Sequence, residues 1–299
     1  MKLTWLRGNR KLQIGLLLLA PFLLAAIMPG VLAPHSPEAL LDAPFAKPSG
    51  AYLLGTDEDG RDILSRLIFA ARSDLTISLS ATMIAAVIGV SIGLVTGYRG
   101  GYWSTACLRV SDVMLAFPSL LLALFLIAVV GPSNTIVIAA LAILYIPGFM
   151  RFARGLALQL RERAFVEASH ISGGGPVYIV RRHLLPNAVG PLLVSISLTA
   201  AYSLLAAATL SYLGLGAPPP APSWGSMSKS AYNWLFQDWW YGVMPGACIV
   251  IVSFGYLLVS AGIEQAIQRG TRVAQATGGR GTSSMVAPIT GASPVEAGD

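Results

Sequence analysis

The chain has 299 residues, of which 55% are hydrophobic and only 11% charged, with a formal net charge of +6. Soluble domains carry roughly 25% charged residues, so this composition excludes an ordinary globular protein and points to a polytopic membrane protein. The basic residues are scattered through connecting segments, which excludes a nucleic-acid footprint, and Cys107 and Cys248 lack the spacing of a disulfide framework or a metal site.

Crossing a ~30 Å hydrocarbon core takes about 20 apolar residues in a helix, and six such runs are found. After a short basic segment, residues 1–11, comes the first, Leu12–Ala33. Arg7, Arg10 and Lys11 precede it as in a signal peptide. The run exceeds the usual apolar core of about 7–15 residues, and five more follow, so it is read as a retained anchor.

An external loop, residues 34–74, follows. Its Asp57-Glu58-Asp59-Gly60-Arg61-Asp62 stretch is acidic, but a calcium loop needs glycine at its sixth position and Glu at its twelfth, where Ile68 stands here. Between Gly55 and Asp74, Asp62 and Arg66 can pair at i,i+4 while Ile63, Leu64, Leu67 and Ile68 form an apolar side. That pattern predicts an interfacial helix and a candidate docking surface.

The second span, Leu75–Tyr98, carries Ala81, Ala85, Gly89, Gly93 and Gly97 every four residues. Lipid-immersed helices gain little from hydrophobic burial, so a small-residue stripe that permits close backbone approach predicts a packing seam. The third span, Val113–Val130, is expected to kink at Pro118, and the fourth, Thr135–Phe149, extends toward Arg154.

In the fifth span, Leu192–Leu215, Ser195, Thr199, Ser203 and Ser211 align with Ala207. Such a face either packs on a neighbour or lines a polar path, since helical hydroxyls can also satisfy themselves on the carbonyl four residues back. An aromatic loop, residues 216–242, holds Trp224, Trp234, Phe236, Trp239, Trp240 and Tyr241, suited to a membrane-interface belt or a docking surface. Its Ser226-Met227-Ser228-Lys229 spells SxxK without companion motifs. The sixth span is Val243–Ile263, and residues 269–299, rich in small and polar types, read as a disordered tail.

Counting Lys and Arg between the spans puts 15 on the side of the N-terminus and 5 on the other, so both termini are expected in the cytoplasm. No span as drawn contains a carboxylate, histidine or lysine; Asp112 and Glu264 fall at span ends. There is no GxxxxGK[ST] phosphate loop, HExxH or Cys/His metal pattern. A secondary transporter would call for internal repeats or intramembrane charge, and a membrane enzyme for a convergent polar site. The chain reads as a pathway whose engine lies elsewhere.

One cytoplasmic stretch interrupts the apolar pattern: Arg161 to Asn187, RERAFVEASHISGGGPVYIVRRHLLPN. Phe165, Ala168 and Ile171 sit at helical spacing, Gly173-Gly174-Gly175 stops that helix, and Pro176 opens a second short helix that Pro186 is expected to end. Two short helices at a glycine corner make a knuckle. It either fits a partner's groove or lies on lipid headgroups through Arg181 and Arg182.

The same residues carry a family resemblance. Glu167-Ala168-Ser169, three residues, Gly173, nine residues, His183, one residue and Leu185-Pro186 is similar to the EAA signature of ABC importer permeases. Ser169 replaces the signature's third-position Ala, and His183 replaces Ile. Leu54-Gly55-Thr56-Asp57 with Gly60-Arg61-Asp62 and Ser65-Arg66 resembles the GTDxxGRDxxSR segment of the peptide-transport branch. Gly97-Tyr98-Arg99-Gly100-Gly101-Tyr102-Trp103 resembles its GYxGG turn, and Ser211 to Gly225 resembles its SFLGLGxxPPxPSWG. The likeness runs from about Leu54 to Ile263 and is to the C-type permease subunit of dipeptide/oligopeptide/nickel importers. After it, Glu264-Gln265-Ala266-Ile267-Gln268-Arg269 departs from the usual ending.

The resemblance implies an all-α fold of six membrane helices with a permease core at 75–268 and a coupling helix at about 161–175. It implies a homologous second permease, two ATPase subunits that bind the ATP and magnesium, and an external substrate-binding protein. The permease itself would need no metal or cofactor. ATPase-coupling roles would fall on Glu167, Ala168, Ser169, Gly173, His183, Leu185 and Pro186, and binding-protein docking on Asp57, Arg61, Asp62 and Trp224. Peptides are the expected cargo, with nickel or another small solute as the alternative.

Overall fold

The computed structural model describes residues 9 to 278 except positions 42 and 237, with side chains as far as Arg269. The segment before Asn9 and the tail from residue 279 lie outside the described residues. Helix α1 (Arg10–Ile27) opens at Asn9, whose side-chain oxygen accepts from the Leu12 N–H and whose amide donates to the Gly262 carbonyl. A single turn, α2 (Pro29–Leu32), leads into the segment that carries Asp57 and Asp62.

Helix α3 (Ile63–Arg99) has 37 residues and starts at Asp62, whose carboxylate accepts from the Ser65 N–H at 2.9 Å. At 1.5 Å per residue it is about 55 Å long. The expected interfacial helix and second span are therefore one rod. Nothing between Ile63 and Leu75 breaks a helix, and the polar Asp74 finds a partner inside the protein.

Helices α4 (Gly101–Ala116) and α5 (Ser119–Val130) meet at 88°, so the kink expected at Pro118 is a break. Phe117 is extended, with φ −84° and ψ 139°, as a residue before proline prefers. The 12 residues of α5 rise only about 18 Å, short of a full crossing. Among the described residues, five helices are long and apolar enough to cross a membrane, or six if the bent pair counts as one span.

Helix α6 (Asn134–Arg161) continues unbroken through Pro147. Then come α7 (Ala164–Ile171), α8 (Pro176–Ile179), a wide π turn over Val180–Leu184 and α9 (Leu185–Tyr212). The short helix expected to end at Pro186 instead runs on into the fifth span. In the widened turn the Leu185 N–H reaches back to the Val180 carbonyl, and the Asn187 side chain donates to the His183 carbonyl at 2.7 Å. The widened turn changes the ladder just ahead of Pro186, which sits in the first turn of α9 where a missing N–H costs least. Helices α10 (Trp224–Tyr232) and α11 (Trp239–Gly278) complete the described residues. The start of the expected tail, 269–278, is helical and continues α11, with Gly270 the one glycine ahead of the final Gly278.

The bundle is built around α3. A Cβ added at Gly93 would lie 2.3 Å from the Met150 carbonyl oxygen, and at Gly89 and Gly97 it would lie 2.6 and 2.8 Å from the carbonyl oxygens of Ile146 and Arg154. With Ala81 and Ala85, both buried, these glycines bring α3 and α6 into backbone contact. Gly15, Gly255 and Gly262 do the same between α1 and α11, a seam the periodicity alone left unread.

Candidate functional site

The knuckle is a surface feature on buried anchors. On α7, Phe165, Glu167, Ala168 and His170 are exposed, and Ile171 is 81% exposed, while Val166 is buried. Beneath it, Ile179 and Leu184 are fully buried against the ends of α3 and α6. The corner closes as a left-handed cap: the Gly173 N–H donates to the His170 carbonyl and the Gly174 N–H to the Ser169 carbonyl. Gly173 has φ +84° and open space around it, so its backbone conformation demands glycine. At Gly174 the reason differs, since a Cβ would sit 2.7 Å from the Ser169 oxygen.

His183, where the signature has Ile, stands between the rings of Phe165 and Tyr178, with centroids 6.1 and 5.7 Å away. Leu185 and Pro186 are exposed in the first turn of α9, and Leu184 takes the buried position. A cleft of about 900 Å³ opens beside the knuckle, lined by Tyr98, Arg99, Arg161, Glu162, Glu167 and His170 among others. Arg161 holds its rim by donating to the Gly97 carbonyl.

The segment that carries Thr56, Asp57 and Asp62 is the opposite in character. Thr56 donates to the Ala43 carbonyl and accepts from the Ala46 N–H, each at 2.8 Å. Asp57, fully buried, accepts from the N–H groups of Asp59 and Arg61 and pairs with Arg66 at 3.2 Å. Burial pushes the Asp57 carboxyl above the ordinary range, while the Arg61 N–H and the Arg66 guanidinium pull it back. Arg66 also donates to the carbonyls of Pro37 and Pro220, fastening the loop before α10. The expected Asp62–Arg66 pair therefore does not form. Asp62 caps α3 and faces His35, and Arg66 turns to Asp57.

Of the docking candidates, Asp57, Asp62 and Trp224 are fully buried, and Arg61 is paired with Asp59 at 2.8 Å. Trp224 is a core residue. Its indole N–H donates to the Leu67 carbonyl at 3.1 Å, and its ring meets Phe22 edge-on. Its backbone N–H donates to Asp74, a carboxylate fully buried inside α3, at 2.7 Å. The reading that no span holds a carboxylate is corrected here: the second span was begun one residue after Asp74. Asp112 likewise lies within α4 and pairs with Arg151 of α6. In the hydroxyl stripe, Ser203 is fully buried and Ser211 packs under Gly216 and Gly225, whereas Ser195 and Thr199 are half-buried.

This architecture, a helical bundle with several apolar helices, an exposed knuckle and a self-tied cap, is that of a membrane permease subunit, and the comparisons with known proteins agree. Residues 89–272 match the family described as binding-protein-dependent transport system inner membrane component, and the chain belongs to it. It is 36% identical to the di/tripeptide transport system permease protein DppC of Pseudomonas aeruginosa, covering 85% of this chain and 86% of that one. It is 34% identical to the dipeptide transport system permease protein DppC of Alkalihalophilus pseudofirmus, over 88% and 86%. With the glutathione transport system permease protein GsiD of Pectobacterium atrosepticum it shares 34%, over 74% and 73%. Among solved structures, an inward-facing MetNI methionine ABC transporter matches in fold at a TM-score of 0.53 and 20% identity, covering 69% of this chain and 97% of that one. The chain is a multi-pass membrane permease of the ABC importer class. That membership implies ATPase and substrate-binding partners.

Proposed function

We propose that this chain and a homologous second permease form the translocation path for di- and oligopeptides across a bacterial plasma (inner) membrane. An external substrate-binding protein delivers the cargo, and two ATPase subunits, which bind the ATP and magnesium, drive the cycle. The chain itself carries no catalytic residue and no cofactor. Both termini lie in the cytoplasm, in keeping with the excess of Lys and Arg on that side.

The observation that carries this reading is the knuckle. It leaves Glu167, Phe165 and Ile171 facing outward on a corner held rigid by paired backbone groups, beside a cleft. A rigid exposed corner on buried anchors transmits force into α6 and α9, which is what an ATPase-driven change of access requires. In this reading Glu167 and Gly173 set the grip and shape of the contact, and Ser195 and Thr199 face the path. The peptide cargo rests on the names of the relatives; a small solute such as a nickel chelate or glutathione is the second reading, favoured by the glutathione permease among them.

The test is capture and uptake. Tagged wild-type chain, solubilised mildly, should retain an ATPase and a second permease, and the Glu167→Ala/Gly173→Leu double variant should lose the ATPase. Gly173→Leu should uncouple ATP hydrolysis from uptake of labelled dipeptide. Normal coupled uptake in that variant, or no ATPase with the wild type, would sink the proposal.

A further inference from the structure

Between α3 and the rod formed by α8 and α9 runs an apolar groove that the transport reading leaves unused. Its first part, a cavity of about 380 Å³, is walled by Val90, Leu94 and Val95 on one side and Val177, Val180 and Leu185 on the other. A second cavity of about 360 Å³ shares Val90, Ser91 and Leu185 with it and continues past Leu192 toward Met83. The open end of the first part is basic. Arg99 and Arg181 both line it, both are exposed, and neither guanidinium has a hydrogen bond or ion pair among the described residues.

The dimensions and the charge agree on one kind of occupant. From Val90 to Arg99 the helix rises about 14 Å, the depth of one leaflet of a bilayer whose core is ~30 Å thick. A partner's apolar helix would fill the walls but leave two arginines unmatched. A phosphodiester accepts from both, because guanidinium groups bind phosphate oxygens through paired N–H donors. The neighbouring carboxylates, Glu162 and Glu167, line the adjacent cleft together with Arg99 and Arg161, and Arg182 adds further positive charge beside Arg181.

We propose that this groove is a binding site for one anionic phospholipid of the inner leaflet. Its phosphate sits between Arg99 and Arg181, and an acyl chain lies along Val90, Leu94 and Leu185. Basic pockets between membrane helices at the cytoplasmic surface recognise such headgroups. The lipid bridges α3 to the first turns of the rod that begins at the knuckle, so it braces the segment through which the ATPases would act. Only the choice of leaflet rests on the orientation proposed above.

The experiment is lipid retention by the purified complex, read by native mass spectrometry after a delipidating detergent wash, with phosphatidylglycerol as the probe. The wild type should retain it, and Arg99→Gln/Arg181→Gln should retain about thirtyfold less, the loss expected from two surface arginines at an anionic headgroup. Val95→Trp, which fills the groove and keeps both charges, should also release it. Co-purification of the second permease and the ATPases reports assembly separately, so failure of the transport reading is distinguishable from failure of this one. If the double variant does not assemble, Arg181→Gln alone, a change at an exposed side chain, carries the test. Equal retention by wild type and the charge and groove variants would overturn the proposal. So would a Val95→Cys crosslink to the second permease, which would place protein in the groove, or equal retention of phosphatidylcholine.

Discussion

The knuckle and the cap built from the segment before α3 are the two motif-dense regions of this permease, and they use their polar residues in opposite ways. In the cap, Asp57, Asp62, Arg66 and Trp224 are buried and spend their hydrogen-bonding capacity on one another and on backbone. In the knuckle, Glu167, Ala168 and Gly173 are exposed, and the buried positions are held by the apolar Val166, Ile179 and Leu184. A run of motif residues therefore says that a segment is constrained without saying by what. The cap's residues are constrained by each other, and the knuckle's by a corner whose outward face is left free.

If that contrast is right, cap variants should fail in folding and knuckle variants in function. The largest effect is expected for Trp224→Ala, which deletes a fully buried ring and should cost about 3–5 kcal/mol of stability. Thermal melting in detergent reads it directly; an unchanged melting temperature with lost uptake would restore Trp224 as a docking residue and break the comparison. Asp74→Ala comes next. It leaves the Trp224 N–H buried without its carboxylate acceptor, a loss of about 1.5–3 kcal/mol. Asp74→Asn keeps an acceptor oxygen at the same reach and should recover more than half of that difference in the same melts. Glu167→Ala should shift stability by less than about 0.5 kcal/mol, as for other exposed side chains, and yet lower uptake and ATPase co-purification. A melting loss as large as that of Asp74→Ala would show the knuckle to be a structural tie like the cap.

Much of the fold was legible because the membrane imposes a strong pattern. Run length located the long apolar helices, and the four-residue recurrence of Gly89, Gly93 and Gly97 marked the face that meets α6. The glycine corner was legible too, since Gly173 has the positive φ that stops α7. What escaped notice was set by contacts distant in sequence. Trp224 lies 150 residues from Asp74, so no local pattern could tell that the tryptophan was core or that the carboxylate had a partner. The same distance hid the α1–α11 seam, where Gly15 meets Val259. Proline misled in both directions. Pro118 breaks a span that was expected only to bend, and Pro186 passes through a helix that it was expected to end, because a widened turn precedes it and it falls in the first turn of α9.

The smallest predicted effect concerns pH, and it probes whether the cap is strained by its own burial. Burial raises the Asp57 carboxyl above its unfolded value near 3.9, with Arg61 and Arg66 opposing. A carboxyl that binds its proton more tightly in the folded than in the unfolded chain makes the folded state take up protons in the window between the two values. Stability then rises as pH falls from neutral through the folded value, levels off below about 4, and is lost again as pH climbs. Because the ion pair with Arg66 offsets part of the burial, the slope should be shallow. Asp57→Asn removes it, because asparagine stands in for the protonated carboxyl at every pH, and Arg66 keeps the carbonyls of Pro37 and Pro220 in both proteins. Across pH 4 to 7 the two melting curves should therefore lie nearest at the acid end, with the wild type falling relative to the variant as pH rises. Parallel curves would mean that Arg66 fully compensates the buried carboxylate, and a wild type that gains on the variant as pH rises would mean that the ion pair outweighs burial and the cap is held by attraction rather than strained by it.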